Sequence, residues 1–392
     1  VPDRTARSRS RAAAAAQRLA DWLAGREQAA VVLTGPAAVA WATGGIAPPV
    51  DRTAGVDLTW VVRTAAGASL ITTEVEADRI RAEYGAAAHG FAELVAVPWY
   101  EPAAFVAAAQ ELAGGPASTL AADGHPAFGA DATQELVALR LALSPAERDD
   151  LRDLGADTAG ALESALSSWR PGERDLDIQA RCAAFLEARG ADAPVLIVGG
   201  DERVERYRHP MAAGIPVRRL AMAVAVARRD GLHAAATRFA CAGRPGAAAT
   251  ALRDRVLGIE RQVLAACAAP GATYGDALAA LDHAYQRAGA PGAWAGHYQG
   301  GPIGFAQREF EIAPGQSGSR WPAQPIAAGH ALAWNPSLPG GAKAEDTYLV
   351  TGAPGAGLER VTSTPGWPVL AGDELAGNEL APARPAVLEA YA

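Results

Sequence analysis

The stretch "AWNPSLPGGAKAEDT" (333–347) gathers uncommon chemistry. It holds Lys343, the one lysine in a chain of 392 residues that carries 34 arginines, and Asn335, one of two asparagines. Lys343 lies two positions before Glu345, so on an extended strand the two side chains share a face. Three readings stand for it: a surface residue on a Gly-rich hairpin, a counter-charge for Glu345 or for a substrate anion, or a Schiff-base nucleophile, which would need burial to depress its pKa. Extension of this segment favours the counter-charge. Histidines are the other candidates for chemistry. His297 and Gln299 sit in a Gly-rich turn whose backbone permits close approach of a ligand, and His233 sits on a strand, lining a cleft or facing away from it. His209 precedes Pro210 in an Arg-rich turn, where a lone histidine is often structural. His89, His125, His283 and His330 fall in no motif and read as surface or loop residues. Cys182, Cys241 and Cys267 are odd in number and lack CxxC spacing or a His at a zinc-ligand interval. They suggest neither a disulfide frame nor structural zinc, and fit a reducing cytoplasm.

These groups must be positioned by a globular scaffold. An apolar content of 50% is ample for substantial cores, and the length suits two domains. The net charge of −8, with no basic tail or face, argues against nucleic acid or an anionic membrane and for a small solute. No apolar run approaches the roughly 20 residues of a membrane span. The Arg-rich start, "VPDRTARSRSRAAAAAQRLADWL", could pass for a transit peptide; lacking an apolar stretch and running into an amphipathic helix, it reads as part of the fold.

The spacing predicts helices near 8–25, 75–84, 101–113 and 132–141, alternating with strands near 29–34, 57–64, 68–74, 91–97 and 118–122. That alternation marks an α/β domain over residues 1–143. A second domain, 144–392, opens with Ser144 as N-cap, Pro145 in the first turn and Glu147 closing a capping box. Helices near 175–189, 247–268 and 275–288 and strands near 193–199, 219–228 and 231–240 suggest a pseudo-repeat packed on one curved antiparallel sheet.

The order of five segments then becomes informative: "RYRHP" (206–210), "ARRDGLHAAATRFACAG" (227–243), "GHYQGGPIGFAQREFEIAP" (296–314), "AWNPSLPGGAKAEDTYLV" (333–350) and "VTSTPGWP" (361–368). Along nearly its whole length the chain resembles the pita-bread family of creatinase, aminopeptidase P and methionine aminopeptidase (the peptidase M24 type). The resemblance implies a two-domain α/β architecture, with a creatinase-like N-terminal α/β domain and a C-terminal α+β pita-bread domain with a curved antiparallel sheet. Metallopeptidases of this family hold two metal ions with two Asp, one His and two Glu. On the matching positions stand Val224 and Ala235 for the two aspartates, Gly301 for the histidine and Asn335 for the first glutamate; Glu345 alone is kept. Arg308 replaces a second active-site histidine, and Glu309 beside it is kept.

A neutral amide and one carboxylate give neither the charge nor the coordination number that a catalytic divalent cation needs. The expectation is therefore no metal and no cofactor. Creatinase, a metal-free member, hydrolyses a C–N bond with a histidine acid/base, which by resemblance falls on His209; imidazole suits the role because its pKa lies near operating pH. The resemblance implies His209, Glu309 and Glu345 as catalytic groups, with His233, His297, Gln299, Arg308, Asn335 and Lys343 around the substrate. It also implies a homodimer whose N-terminal domain brings Arg52 to the partner's site, to hold a substrate carboxylate. The reaction expected is hydrolysis of a small polar carboxylate- or amine-bearing substrate, or a related elimination, isomerisation or cyclisation in specialised metabolism. The alternatives are an Xaa-Pro metallopeptidase of the aminopeptidase P kind and a non-catalytic relative that binds a ligand.

Overall fold

A computed structural model of the chain describes residues 2–46, 48–313, 319–351, 357–364, 366–368 and 385–390. The chain forms two compact units, Val1–Asp150 and Leu151–Ala392. Among the described residues, no helix is long and apolar enough to cross a membrane.

In the first unit α1 (Pro2–Ala24) and β1 (Ala30–Leu33) lead to α2 (Pro36–Thr43), β2 (Thr59–Thr64), β3 (Ala68–Thr73), α3 (Glu74–Tyr84), β4 (Phe91–Val97), α4 (Pro102–Ala113), β5 (Ala121–Ala122), β6 (Ala130–Asp131) and α5 (Thr133–Leu141). The Arg-rich start is a helix because Ala12, Ala15, Leu19 and Leu23, three or four residues apart, form one buried stripe. The six strands run in the order β4-β3-β2-β1-β5-β6. Pairs β1–β2 and β2–β3 are antiparallel, while β3–β4, β1–β5 and β5–β6 are parallel. The sequence reading omitted α2, a helix of 8 residues with Pro36 in its first turn and Gly44 in the left-handed region at φ 68°. Its punctuation was legible, but eight residues with an almost wholly apolar composition give no amphipathic period. His89 corrects another expectation: it is buried in this unit, with Nε2 3.2 Å from Ser8 Oγ.

Helix α6 (Pro145–Ser167) begins with the expected capping box: Ser144 N donates to Glu147 Oε2 (2.6 Å) and Glu147 N to Ser144 Oγ (3.4 Å). In the second unit follow β7 (Glu173–Arg174), α7 (Asp175–Glu187), β8 (Asp192–Gly200), α8 (Glu202–Arg206), β9 (Pro216–Val217), β10 (Leu220–Arg229), β11 (Leu232–Ala242), α9 (Ala247–Ala268), α10 (Tyr274–Arg287), β12 (Gly300–Ile303), β13 (Ala331–Trp334), β14 (Ser337–Leu338), β15 (Ala342–Lys343), β16 (Asp346–Val350), β17 (Leu358–Arg360) and β18 (Leu388–Ala390).

The sheet is built in two four-stranded halves, β18-β11-β10-β8 and β12-β13-β16-β17, antiparallel except for the β11–β18 pair. They are stitched along β11: His233 N donates to Gly304 O (2.8 Å), Thr237 N to Glu345 O (3.0 Å), and Ala235 N to Thr347 Oγ1 (2.8 Å), which donates back to Ala235 O (2.9 Å). This seam brings segments more than a hundred residues apart onto one surface. Arg238 locks it from within, donating to Asp346 Oδ1 (2.8 Å), Thr362 O (2.7 Å) and Thr364 Oγ1 (3.1 Å). Arg238 is thus a structural arginine.

Candidate active site

On β11, His233, Ala235 and Thr237 alternate onto one face, and Val224 and Val226 stand opposite Thr237 and Ala235 on β10. Val224 packs with Ile197, Met222 and Phe239 in an apolar cluster. Two positions where the resemblance expects metal-binding aspartates are thus buried and apolar. The surviving glutamate is on the same surface: Glu345 Oε2 accepts from Thr237 Oγ1 (2.8 Å) and lies 3.2 Å from Lys343 Nζ. Both side chains of this ion pair are nearly inaccessible, 8% exposed for the lysine and 5% for the glutamate. Lys343 is therefore the counter-charge, not a surface residue.

A short hairpin, β14 and β15, carries this lysine, with Ser337 and Lys343 directly opposite each other. Its tip, Gly340-Gly341, has φ of 100° and 98°, a region that side chains resist. The hairpin's other end is held by Tyr285, whose hydroxyl accepts from Ser337 N (3.0 Å) and lies 3.1 Å from Ser337 O and 2.9 Å from Gln299 Oε1. Gln299 Nε2 in turn donates to Trp294 O (2.7 Å), which fixes the turn bearing His297. His297 reaches Ser337 Oγ through Nε2 at 2.5 Å, and Arg208 donates to the same hydroxyl. His209 is exposed at the rim, its ring 6.4 Å from that of His297. Burial, then the nearby Lys343 charge, lowers its pKa, while Glu345 opposes them. Burial above all pushes His297 down to about 4, aided by the charges of Lys343 and Arg208.

So the structure gathers His209, His297, Gln299, Lys343 and Glu345, and adds Arg208, Thr237, Tyr285 and Ser337, which sequence reasoning did not single out. Arg208 and Ser337 lie inside the segments "RYRHP" (206–210) and "AWNPSLPGGAKAEDTYLV" (333–350), the one signal that pointed to them. A second group forms around Gly304. His233 is buried with Nδ1 3.1 Å from Gly304 O, and burial lowers its pKa to about 4. Glu309 Oε1 accepts from Phe305 N (2.8 Å) and Ala306 N (3.2 Å), and so shapes this turn. Arg308 pairs with Glu311 (3.0 Å), not with Glu345. Arg52 is exposed in the 48–58 segment of the first unit. His330, expected at the surface, is buried beside Tyr274, its Nδ1 3.0 Å from the phenol oxygen.

The donor set does not suit a pair of metal ions. Val224, Ala235 and Gly301 offer no ligand atom, and Glu345 is engaged by a hydroxyl and an ammonium. Among the described residues, no group of three or more His, Cys, Asp or Glu is placed to hold a metal ion. Asn335 is buried, and among the described residues no donor reaches its Oδ1. Two cavities adjoin the hairpin: one of about 160 Å³ lined by Tyr207, Arg208, Met222, Ser337 and Lys343, and one of about 270 Å³ lined by Leu220, Phe239, Leu252, Lys343 and Val387.

The profile of metallopeptidase family M24 matches residues 149–352, just over half of the chain. No curated protein sequence matches the chain. Among solved structures, dipeptidase PepE from Mycobacterium ulcerans is similar at 22% identity and a TM-score of 0.69, over 92% of this chain and 96% of that one. An Xaa-Pro dipeptidase from Bacillus anthracis shares 20% identity at a TM-score of 0.67, over 90% and 98%. The N-terminal domain of the FACT complex subunit SPT16 from chickpea (Cicer arietinum) shares 12% at 0.63, over 92% and 97%. At these identities the likeness speaks to fold, and one fold hosts several functions. The profile match and this shared two-domain pita-bread fold place the chain in metallopeptidase family M24, as a member whose described residues do not supply the family's metal-ligand set.

Proposed function

We propose that this chain is a metal-independent M24 hydrolase, or a related C–N lyase or cyclase, acting on a small polar substrate that bears a carboxylate or an amine. One observation carries the reading: a buried ammonium, Lys343, is paired to Glu345, the one ligand position retained. Fixed positive charge in a water-poor cleft can hold a substrate anion or a developing oxyanion. His209, at the rim within the fields of Lys343 and Glu345, is the proposed acid/base group. The donor-less Oδ1 of Asn335 suits an N–H of the substrate. Glu309 is assigned to the 304–309 turn.

Metal content after incubation with Mn²⁺, Co²⁺ and Zn²⁺ and desalting tests the reading. Less than about a tenth of an equivalent per chain is expected; two equivalents, or chelator-sensitive peptidase activity, would overturn it. A metal-dependent Xaa-Pro peptidase is the second reading, favoured by the likeness to the Bacillus anthracis dipeptidase over 90% of this chain. A relative that binds a ligand without turnover is the third; normal turnover lost in His209→Ala would dismiss it. A homodimer supplying Arg52 across subunits belongs to the same proposal, and a monomeric mass by light scattering would remove it. A reducing cytoplasm suits three free cysteines, two of them buried.

A further inference from the structure

We propose that Ser337 is a nucleophile with His297 as its base, so that this site performs acyl transfer on a small, carboxylate-bearing amide or ester. The hydrogen bonds around Ser337 Oγ and His297 together favour one proton arrangement. Arg208 Nη1 can only donate, so Oγ accepts there and its single proton is directed to His297 Nε2, 2.5 Å away. On the far side of the ring, Nδ1 lies 2.5 Å from Tyr298 O, which can only accept. Gln299 Nε2 also lies 3.2 Å from this Nδ1, but its two protons have Trp294 O (2.7 Å) and His297 O (3.2 Å) as acceptors, so the ring proton is assigned to Nδ1 and Nε2 is the acceptor. Nucleophile, base and an orienting third group stand in the relation that activates serine in unrelated hydrolases.

Three further features suit the role. The imidazole is held neutral around pH 7, because burial and the neighbouring cations disfavour its charged form. The serine is held firmly: Tyr285 grips its backbone N–H (3.0 Å), and Gln299 ties the same tyrosine to the turn carrying His297. Ser337 also opens on a cavity of about 160 Å³, shared with Arg208, Met222 and Lys343. Ser337 and Lys343 are register partners, and opposite residues on paired strands project to the same face. Lys343 and Arg208 thus bring positive charge to the face where an oxyanion or a substrate carboxylate would lie.

The sequence of steps balances without an outside oxidant or metal. Oγ bonds to the acyl carbon as its proton passes to His297 Nε2. The C–N or C–O bond breaks, and the departing amine or alcohol leaves with that proton. Water then attacks the acyl-serine, giving a proton to Nε2; the acyl–Oγ bond breaks and Oγ recovers the proton. The inference rests on the metal-independent reading and refines it, with Ser337 as the attacking group and His297 in place of His209 as the acid/base.

The test is reaction of the full chain with a fluorophosphonate probe, followed by intact mass and peptide mapping. One adduct is expected, on Ser337. It should be absent in Ser337→Ala and form at least about 100-fold more slowly in His297→Ala, the range for loss of a general base. Ser337→Cys, which keeps a nucleophile should the alanine variant fold poorly, should be alkylated by iodoacetamide at position 337 ahead of Cys182, Cys241 and Cys267. A folded wild-type protein that forms no adduct at Ser337 while a trypsin control is fully labelled overturns the proposal, as does an unchanged rate in His297→Ala. Metal content of the same samples separates the failures: unlabelled and metal-free protein refutes the serine alone, whereas unlabelled protein with two metal ions refutes the metal-independent reading as well.

Discussion

The ion pair between Lys343 and Glu345 sets a measurable expectation for stability. At 3.2 Å, opposite unit charges attract by about 5 kcal/mol at an effective dielectric of about 20. Most of that is offset by removing two ions from water, so the intact pair adds little net stability. Removing one partner is different, because it strands the other charge in a site 5–8% exposed. Lys343→Met leaves Glu345 with the Thr237 hydroxyl as its visible support, and Glu345→Gln leaves the ammonium without its carboxylate. Each single change should cost about 3–5 kcal/mol. At roughly 2–4 °C per kcal/mol for a unit of this size, Tm should fall by about 6–20 °C. The double variant Lys343→Met/Glu345→Gln removes both charges and should recover most of the loss, giving a coupling energy of about 2 kcal/mol or more in a denaturant double-mutant cycle. Burial also predicts that the coupling survives 1 M NaCl, where screening acts over about 3 Å between exposed charges. Singles within about 0.5 kcal/mol of wild type, or a coupling abolished by salt, would refute the buried pair and with it the replacement of metal charge by ammonium charge.

Two further expectations concern the frame around the site. His233 and His330 are buried with pKa values lowered to about 4, so between the ordinary value and about 4 the unfolded chain binds more protons than the folded one. Their contribution is complete above the unfolded pKa of about 6.5 and is lost as pH falls toward 4, at about 3 kcal/mol per imidazole; denaturant midpoints from pH 7 to 4 should show this, less steeply in His330→Gln, and an unchanged slope in that variant would count against it. Arg238→Met would strand Asp346 in the interior with Thr362 Oγ1 (2.7 Å) still bonded. A loss of about 3–5 kcal/mol is expected, and a change under about 1 kcal/mol in chemical denaturation would show that the seam does not depend on this arginine.

Much of the scaffold was legible because its signals are local. The capping box at Ser144, the short apolar runs of β10 and β11 and the helical spacing of α9 and α10 follow from neighbours in sequence. The pairing of Lys343 with Glu345 was legible for the same reason, being a matter of strand alternation. What escaped were contacts across long stretches of chain. Ser337 meets His297 across 40 residues and Arg208 across 129, and the seam joins β11 to residues over a hundred positions later. No single-sequence periodicity encodes such meetings. Buried His89 and His330 were missed likewise, since burial there is decided by tertiary packing and not by a motif.

The apolar lining at Val224 and Ala235 also bears on how this lineage can change. To carry the ligand set that the family resemblance implies, the chain would need carboxylates at both positions, an imidazole at Gly301 and a glutamate at Asn335. A carboxylate at Val224 would be buried among Ile197, Met222 and Phe239, in a cluster that offers it no cation. On the proposed metal-independent reading, single steps toward a metal-ligand set are expected to cost stability, so changes in the cavity around Lys343 are the more accessible route to a different substrate.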